Sequence, residues 1–212
     1  MLEVVKVKFS YPLSVSPSFA YDLQVPSSGI AILEGPSGVG KSTLLNLIAG
    51  FLMPDEGLIS WEGKDITNCS PADRPLSMIF QDGNLFDHLD CRKNIALGLR
   101  PSLKLSEDEW CAVDQAMAEL DVLDLKDRNP NDISGGQKQR VALTRALIRA
   151  QWQDRKLLLF DEPFSALDQE NRLICIEIVK RLVFQKNIAA LMVSHNPDDY
   201  ERLEANVITL PQ

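Results

Sequence analysis

The feature that most constrains this chain is Gly35-Pro36-Ser37-Gly38-Val39-Gly40-Lys41-Ser42, preceded by the apolar run Gly29-Ile30-Ala31-Ile32-Leu33. Ser42-Thr43-Leu44-Leu45-Asn46-Leu47-Ile48-Ala49 reads as a helix, and Gly50 is placed to stop it. A short buried strand, a glycine-rich turn and a helix must therefore follow one another. Glycines at 35, 38 and 40 let the backbone curl until successive N–H groups point at one place. The helix start adds the positive end of its dipole. Lys41 brings an ammonium for β- and γ-phosphates, and the Ser42 hydroxyl is a hard oxygen suited to Mg²⁺. This spacing marks a nucleoside-triphosphate loop. A glycine-rich turn with an incidental lysine competes, but the strand before and the helix after favour the phosphate reading.

Around this unit the chain reads as an α/β core with a helical insert. Val4-Val5-Lys6-Val7-Lys8-Phe9 partly alternates, and a Pro54-Asp55-Glu56-Gly57 turn leads into the strand candidate Leu58-Ile59-Ser60-Trp61. Leu76-Ser77-Met78-Ile79-Phe80 is another, and Gln81 follows it directly. Residues 84–150 change character, with amphipathic helices expected over 107–120 and 137–150. Core pattern resumes with a strand at 156–160, a helix over about 169–184 and a strand at 188–193. The expectation is one domain over 1–212, with its core in about 1–83 and 151–212 and the insert in about 84–150. The end, Thr209-Leu210-Pro211-Gln212, carries neither a glycine turn nor a further strand.

Bulk properties narrow the partners. A chain of 212 residues with 45% apolar and 25% charged content suits a single globular unit. No apolar run approaches the roughly 18 residues of a membrane span, and the N-terminus lacks a secretory pattern. A cytoplasmic protein without direct bilayer insertion is expected. Net charge of −8 argues against nucleic acid as partner and against adsorption to anionic lipid. Cys69, Cys91, Cys111 and Cys175 are widely spaced, which suits free thiols better than a metal site.

Further chemistry clusters at strand ends. Asp161 and Glu162 close the apolar run Leu157-Leu158-Leu159-Phe160. An acid there can hold Mg²⁺, and the next one can act as general base, against the plainer reading of two surface carboxylates at a turn. Ser134-Gly135-Gly136-Gln137 reads both as a helix capping box and as an anion site. His195 follows the last strand candidate, with Asn196-Pro197 suited to start a helix.

Phosphate loop, Gln81, Ser134-Gly135-Gly136-Gln137-Lys138-Gln139-Arg140, Asp161-Glu162 and His195, in that order, resemble the ATP-binding cassette family. The resemblance implies a phosphate-loop NTPase core, a RecA-like mixed sheet with flanking helices, joined to an N-terminal antiparallel β part and an inserted α-helical subdomain. It implies an ATPase that works as a homodimer with ATP and Mg²⁺ at the seam. Residues 35–43, from Gly35 to Thr43, would then bind ATP of one subunit, and Ser134, Gly135, Gly136 and Gln137 would cover it from the other. Ser42, Gln81 and Asp161 would serve the metal, and Glu162, His195, Gln81 and Lys41 hydrolysis. Asp168 in Ser165-Ala166-Leu167-Asp168 would sit at the seam, unless it merely caps a helix. Tyr11 would stack on adenine, with Phe9 as its rival.

Leu44-Leu45-Asn46-Leu47-Ile48-Ala49-Gly50-Phe51-Leu52, the Arg74-Pro75 segment and Asn84-Leu85-Phe86-Asp87-His88-Leu89 look like ATP-binding subunits of bacterial thiamine importers. That narrower likeness implies an integral membrane permease, a periplasmic thiamine-binding protein acting through it, and a place on the cytoplasmic face of the inner membrane. Leu85 and Phe86 would meet the permease, unless they pack the insert. Alternatives are a cassette for another solute or for export, a soluble cassette protein acting on DNA or ribosomes, and a non-enzymatic ATP-gated scaffold.

Overall fold

The computed structural model describes residues 1–12, 19–80, 85–153 and 155–210. In chain order its elements are β1 (Leu2–Phe9), β2 (Phe19–Val25), β3 (Gly29–Glu34), α1 (Lys41–Ala49), β4 (Glu56–Trp61), β5 (Lys64–Asp65) and β6 (Leu76–Ile79). There follow α2 (Cys91–Ala96), α3 (Glu107–Glu119), α4 (Gly135–Trp152), β7 (Leu157–Asp161), α5 (Gln169–Lys186), β8 (Ala189–Val193), α6 (Pro197–Arg202) and β9 (Asn206–Thr209). Short 3₁₀ turns lie at Leu123–Leu125 and Pro130–Asp132.

Strand alternation builds the layers. In β7, Leu157 and Leu159 face one side of the sheet while Leu158 and Phe160 face the other. Both sides are covered, so β3, β7 and β8 read as continuous apolar runs. One side packs on α1, through Leu44, Leu45 and Ile48, and on the inner face of the N-terminal strands, including Val4 and Ile59. The other packs on the helices, where Ile95, Val113, Met117, Leu143 and Val179 meet Ile32, Phe160 and Met192.

The strands segregate into two sheets. An antiparallel sheet runs β2-β1-β4-β5, and a parallel sheet runs β6-β7-β8-β3-β9. Sequence reasoning expects a mixed sheet in the core; every described strand pair of the core sheet is parallel. The reason is connectivity, because parallel neighbours need helical crossovers whereas β1 pairs directly with its neighbours in antiparallel register. Asn206–Thr209, for which no element is expected, forms the edge strand β9 beside β3. α4 begins in the helical stretch, yet its later part lies on β6, with the Ser77 hydroxyl donating to the Ala146 carbonyl at 3.5 Å.

Arg74 locks α1 from behind. Its side chain is fully buried and donates to the carbonyls of Leu47 (2.8 Å), Ile48 (2.6 Å), Thr67 (2.8 Å) and Cys69 (3.1 Å). Two of these are C-terminal carbonyls of α1, which welcome a cation. Gly50 ends the helix at φ 84°, and a Cβ there would sit 2.5 Å from Arg74 Nε. The far end of this anchored helix carries Lys41 and Ser42.

Candidate functional site

The loop between β3 and α1 forms one wall of a cleft of about 370 Å³. Gly38 (φ 84°) and Gly40 (φ 97°) occupy the left-handed region that glycine tolerates. A Cβ on Gly40 would also collide with the Tyr21 hydroxyl and come within 2.5 Å of the Phe19 ring. Tyr21 donates its hydroxyl to the Gly40 carbonyl at 2.8 Å, and burial pushes that phenol's pKa up. No side chain caps α1, so its first N–H groups are left to a ligand. Lys41 Nζ folds over the loop and donates to the carbonyls of Gly35 (2.6 Å) and Pro36 (3.0 Å). Ser37, Ser42 and Thr43 line the same cleft.

Neighbouring parallel strands supply the opposite wall. Asp161 at the end of β7 pairs in register with Val193 at the end of β8. Asp161 is 7% exposed, and its carboxylate accepts the Ser42 hydroxyl at 3.2 Å. Burial, and after it the Glu162 charge, pushes the Asp161 carboxyl above its ordinary range. Two hard oxygens side by side, one on an under-compensated buried carboxylate, fit a divalent cation.

Glu162 adopts φ 49°, a left-handed conformation that costs a non-glycine residue about 1–3 kcal/mol. Its N–H donates to the Val193 carbonyl (3.1 Å), and its own carbonyl accepts Gln139 Nε2 (3.0 Å), Ser165 Oγ (3.1 Å) and the Ser165 N–H (3.3 Å). The turn therefore stays strained because its surroundings hold it. Glu162 Oε1 lies 3.2 Å from His195 Nε2 at the cleft.

His195 sits on a braced corner. Arg172 of α5 makes a bidentate pair with Asp199, which is almost fully buried, and Asp199 accepts the neighbouring Ser194 hydroxyl. Asn196 caps α6 by accepting the Asp198 N–H at 3.0 Å, and Pro197 opens that helix. Tyr11 is exposed, with its hydroxyl 3.1 Å from Thr43 Oγ1. It meets Phe9 and Phe19 edge-on at 4.9 and 6.1 Å. Phe9 is 6% exposed and offers no free ring face, so of the two rivals Tyr11 has the accessible one.

Ser134 to Gln137 do not line this cleft. They form the capping box: Ser134 Oγ accepts the Gln137 N–H at 3.3 Å and Gln137 Oε1 accepts the Ser134 N–H at 2.9 Å. Gly136 abuts the turn after β7, where a Cβ on it would lie 2.9 Å from the Ala166 carbonyl oxygen. Asp168 caps α5, accepting the Asn171 N–H at 2.9 Å and Asn171 Nδ2 at 2.7 Å, and these bonds hold its carboxyl below the usual range. Gln81 lies outside the described residues. Sequence reasoning assigns no role to Gln139, Arg172, Ser194 and Asp199, whose roles arise from partners distant in the chain, nor to Phe19, which shares β2 with Tyr21.

A family model described as "ABC transporter" matches residues 20–165. The chain belongs to the ABC transporter family. It is 50% identical over 184 residues to the thiamine import ATP-binding protein ThiQ of Photobacterium profundum, covering 87% of this chain and 75% of that relative. The protein of the same name from Brucella suis biovar 1 is 42% identical over 204 residues, covering 96% of this chain and 82% of that relative. Among solved structures, "Dimeric Structure of MJ0796, a Bacterial ABC Transporter Cassette" superposes with TM-score 0.83 at 25% identity, covering 99% and 94% of the two chains. A post-hydrolysis dimer of the same cassette, bound to ADP and Pi, gives TM-score 0.86 at 24% identity with the same coverage, which establishes the shared fold. The ABC assignment carries the ATP-binding α/β phosphate-loop fold with it. Among the described residues no helix is long and apolar enough to cross a membrane.

Proposed function

We propose that this chain is the ATP-hydrolysing subunit of a bacterial thiamine importer. The observation that carries the enzymatic part is the meeting, in one cleft, of Lys41 and Ser42 with Glu162 and His195. The solute rests on the relatives at 42–50% identity, named for thiamine import.

On this reading the N–H groups of residues 35–43 and the Lys41 ammonium hold the ATP phosphates. Tyr11 offers a ring face to the adenine. Ser42 and Asp161, together with Gln81, would hold Mg²⁺, which when bound would supply positive charge to offset that of the phosphates. Glu162 takes the proton of the attacking water as general base, a role worth about 10²–10⁴ in rate. His195 donates a hydrogen bond to the γ-phosphate and steadies its developing charge. Ser134 to Gln137 of a second copy close the site, and Asp168 lies at that homodimer seam.

Closure of the dimer pulls on an integral membrane permease, fed by a periplasmic thiamine-binding protein, at the cytoplasmic face of the inner membrane. Phe86, an exposed ring whose backbone is gripped by Asn94 (2.7 and 3.1 Å), supports a docking role. Neither nucleic acid nor the lipid core is a partner. Labelled-thiamine uptake tests the reading in cells lacking their own copy, with the chain co-expressed beside its permease and binding protein. The unmodified chain should restore uptake and Glu162→Gln should not. An assembled complex that hydrolyses ATP without moving thiamine would refute the solute assignment.

A further inference from the structure

We propose that Gln139 is a positioning residue that ties the start of α4 to the hydrolytic carboxylate of the same chain. The proposal rests on the ATPase reading above. Gln139 lies just inside α4 and is 5% exposed. Its amide is used at both ends: Oε1 accepts the Ala166 N–H at 2.9 Å and Nε2 donates to the Glu162 carbonyl at 3.0 Å. Because one partner is a backbone donor and the other a backbone acceptor, the amide has a single orientation. One side chain thus spans the turn from Glu162 to Ala166.

That turn needs holding. Glu162 is in the left-handed region, a conformation that persists only where its surroundings over-determine it. Gly136, one turn before Gln139 on the same helix, presses its backbone against the Ala166 carbonyl. The start of α4 is therefore seated on the turn at two points, by close backbone approach at 136 and by the clamp at 139. A shift of this helix start must be felt at Glu162. In the dimer, the start of α4 covers the ATP of the opposite subunit, whereas Glu162 acts on its own. Gln139 then makes the alignment of one general base depend on occupancy of the other site, a coupling that appears as cooperativity in ATP.

The test compares full-length Gln139→Glu and Gln139→Met with the parent in steady-state ATP hydrolysis. Gln139→Glu keeps the shape and an acceptor for Ala166 but sets an acceptor against the Glu162 carbonyl. Its expected signature is a kcat about 10- to 100-fold lower, from a displaced base, with KM changed less than about 2-fold. The Hill coefficient should fall toward one, and the thermal midpoint should hold, so that a merely structural loss is told apart. Gln139→Met, lacking both bonds, should repeat the pattern; if it unfolds, Gln139→Glu decides. A Gln139→Glu protein with the parent's kcat and Hill coefficient overturns the proposal, as does one whose activity falls only in step with its stability. A parent without turnover would instead defeat the ATPase reading itself.

Discussion

Asp161 accepts one hydroxyl, from Ser42, and lies beside the like charge of Glu162. On the proposed reading its carboxylate is kept for a cation at the expense of the nucleotide-free fold, since a buried charge without a full partner destabilises. Asp161→Asn retains an oxygen for Ser42 and removes the charge. Without nucleotide at neutral pH, the variant should therefore melt higher, by roughly 2–4 °C if about 1 kcal/mol is recovered. Mg²⁺ with ATP should then stabilise the parent and leave the variant nearly unmoved. Calorimetry with and without ligand reads both, and a lower midpoint for the apo variant would contradict the account. Lys41, Ser42 and Asp161 are legible in sequence because their chemistry is written in short contiguous strings. Arg74 and Gln139 are not. An arginine ordinarily reads as surface, and nothing local reveals that carbonyls from α1 and from residues 67 and 69 will bury Arg74. Gln139 finds its partners in a turn beyond the end of its own helix.

Helix starts divide this cassette into two kinds. α2, α3, α5 and α6 begin with Asp90, Ser106, Asp168 and Asn196, each accepting a backbone N–H, whereas α1 begins at Gly40 with no side-chain cap. α4 lies between these cases, because Ser134 caps it while Gly135 beside the cap faces open space. Capping and phosphate contact can be separated there. Ser134→Asp keeps a strong N-cap and complements the helix dipole, so the thermal midpoint should stay near the parent's. The added negative charge would oppose a phosphate, and ATP hydrolysis should fall more than about 10-fold. Ser134→Ala should do the converse to the fold, costing about 1 kcal/mol of stability. Parent-like hydrolysis by Ser134→Asp would mean that α4 meets no phosphate. Elements with a strong apolar pattern, such as β3, β7, β8 and α5, are readable in sequence, and β9 is not. Three of its four residues are exposed, so the strand has almost no apolar pattern and exists by pairing with β3.

At the scale of the whole molecule, Ser134 to Gln137 lie outside the cleft of their own chain, so any contact they make with ATP there has to come from a second copy. In the two-fold dimer proposed above, each site would take its loop from one copy and its α4 start from the other. Two mixed dimers distinguish that arrangement from a self-contained site. Pairing Lys41→Ala with Ser134→Asp places both defects in one composite site and leaves every residue of the second unchanged, so two inactive chains should regain activity together, lowered by the coupling through Gln139. Pairing the unmodified chain with the Lys41→Ala, Ser134→Asp double variant spreads one defect into each site and should be inactive. Differently tagged copies, co-expressed and purified through both tags, allow ATPase assay of each defined heterodimer. If every chain built its own site, the outcome would invert: the first pair would stay dead and the second would keep about half the activity of the parent. The contrast is insensitive to modest losses of stability, because both heterodimers carry the same two substitutions and differ only in which subunit bears them.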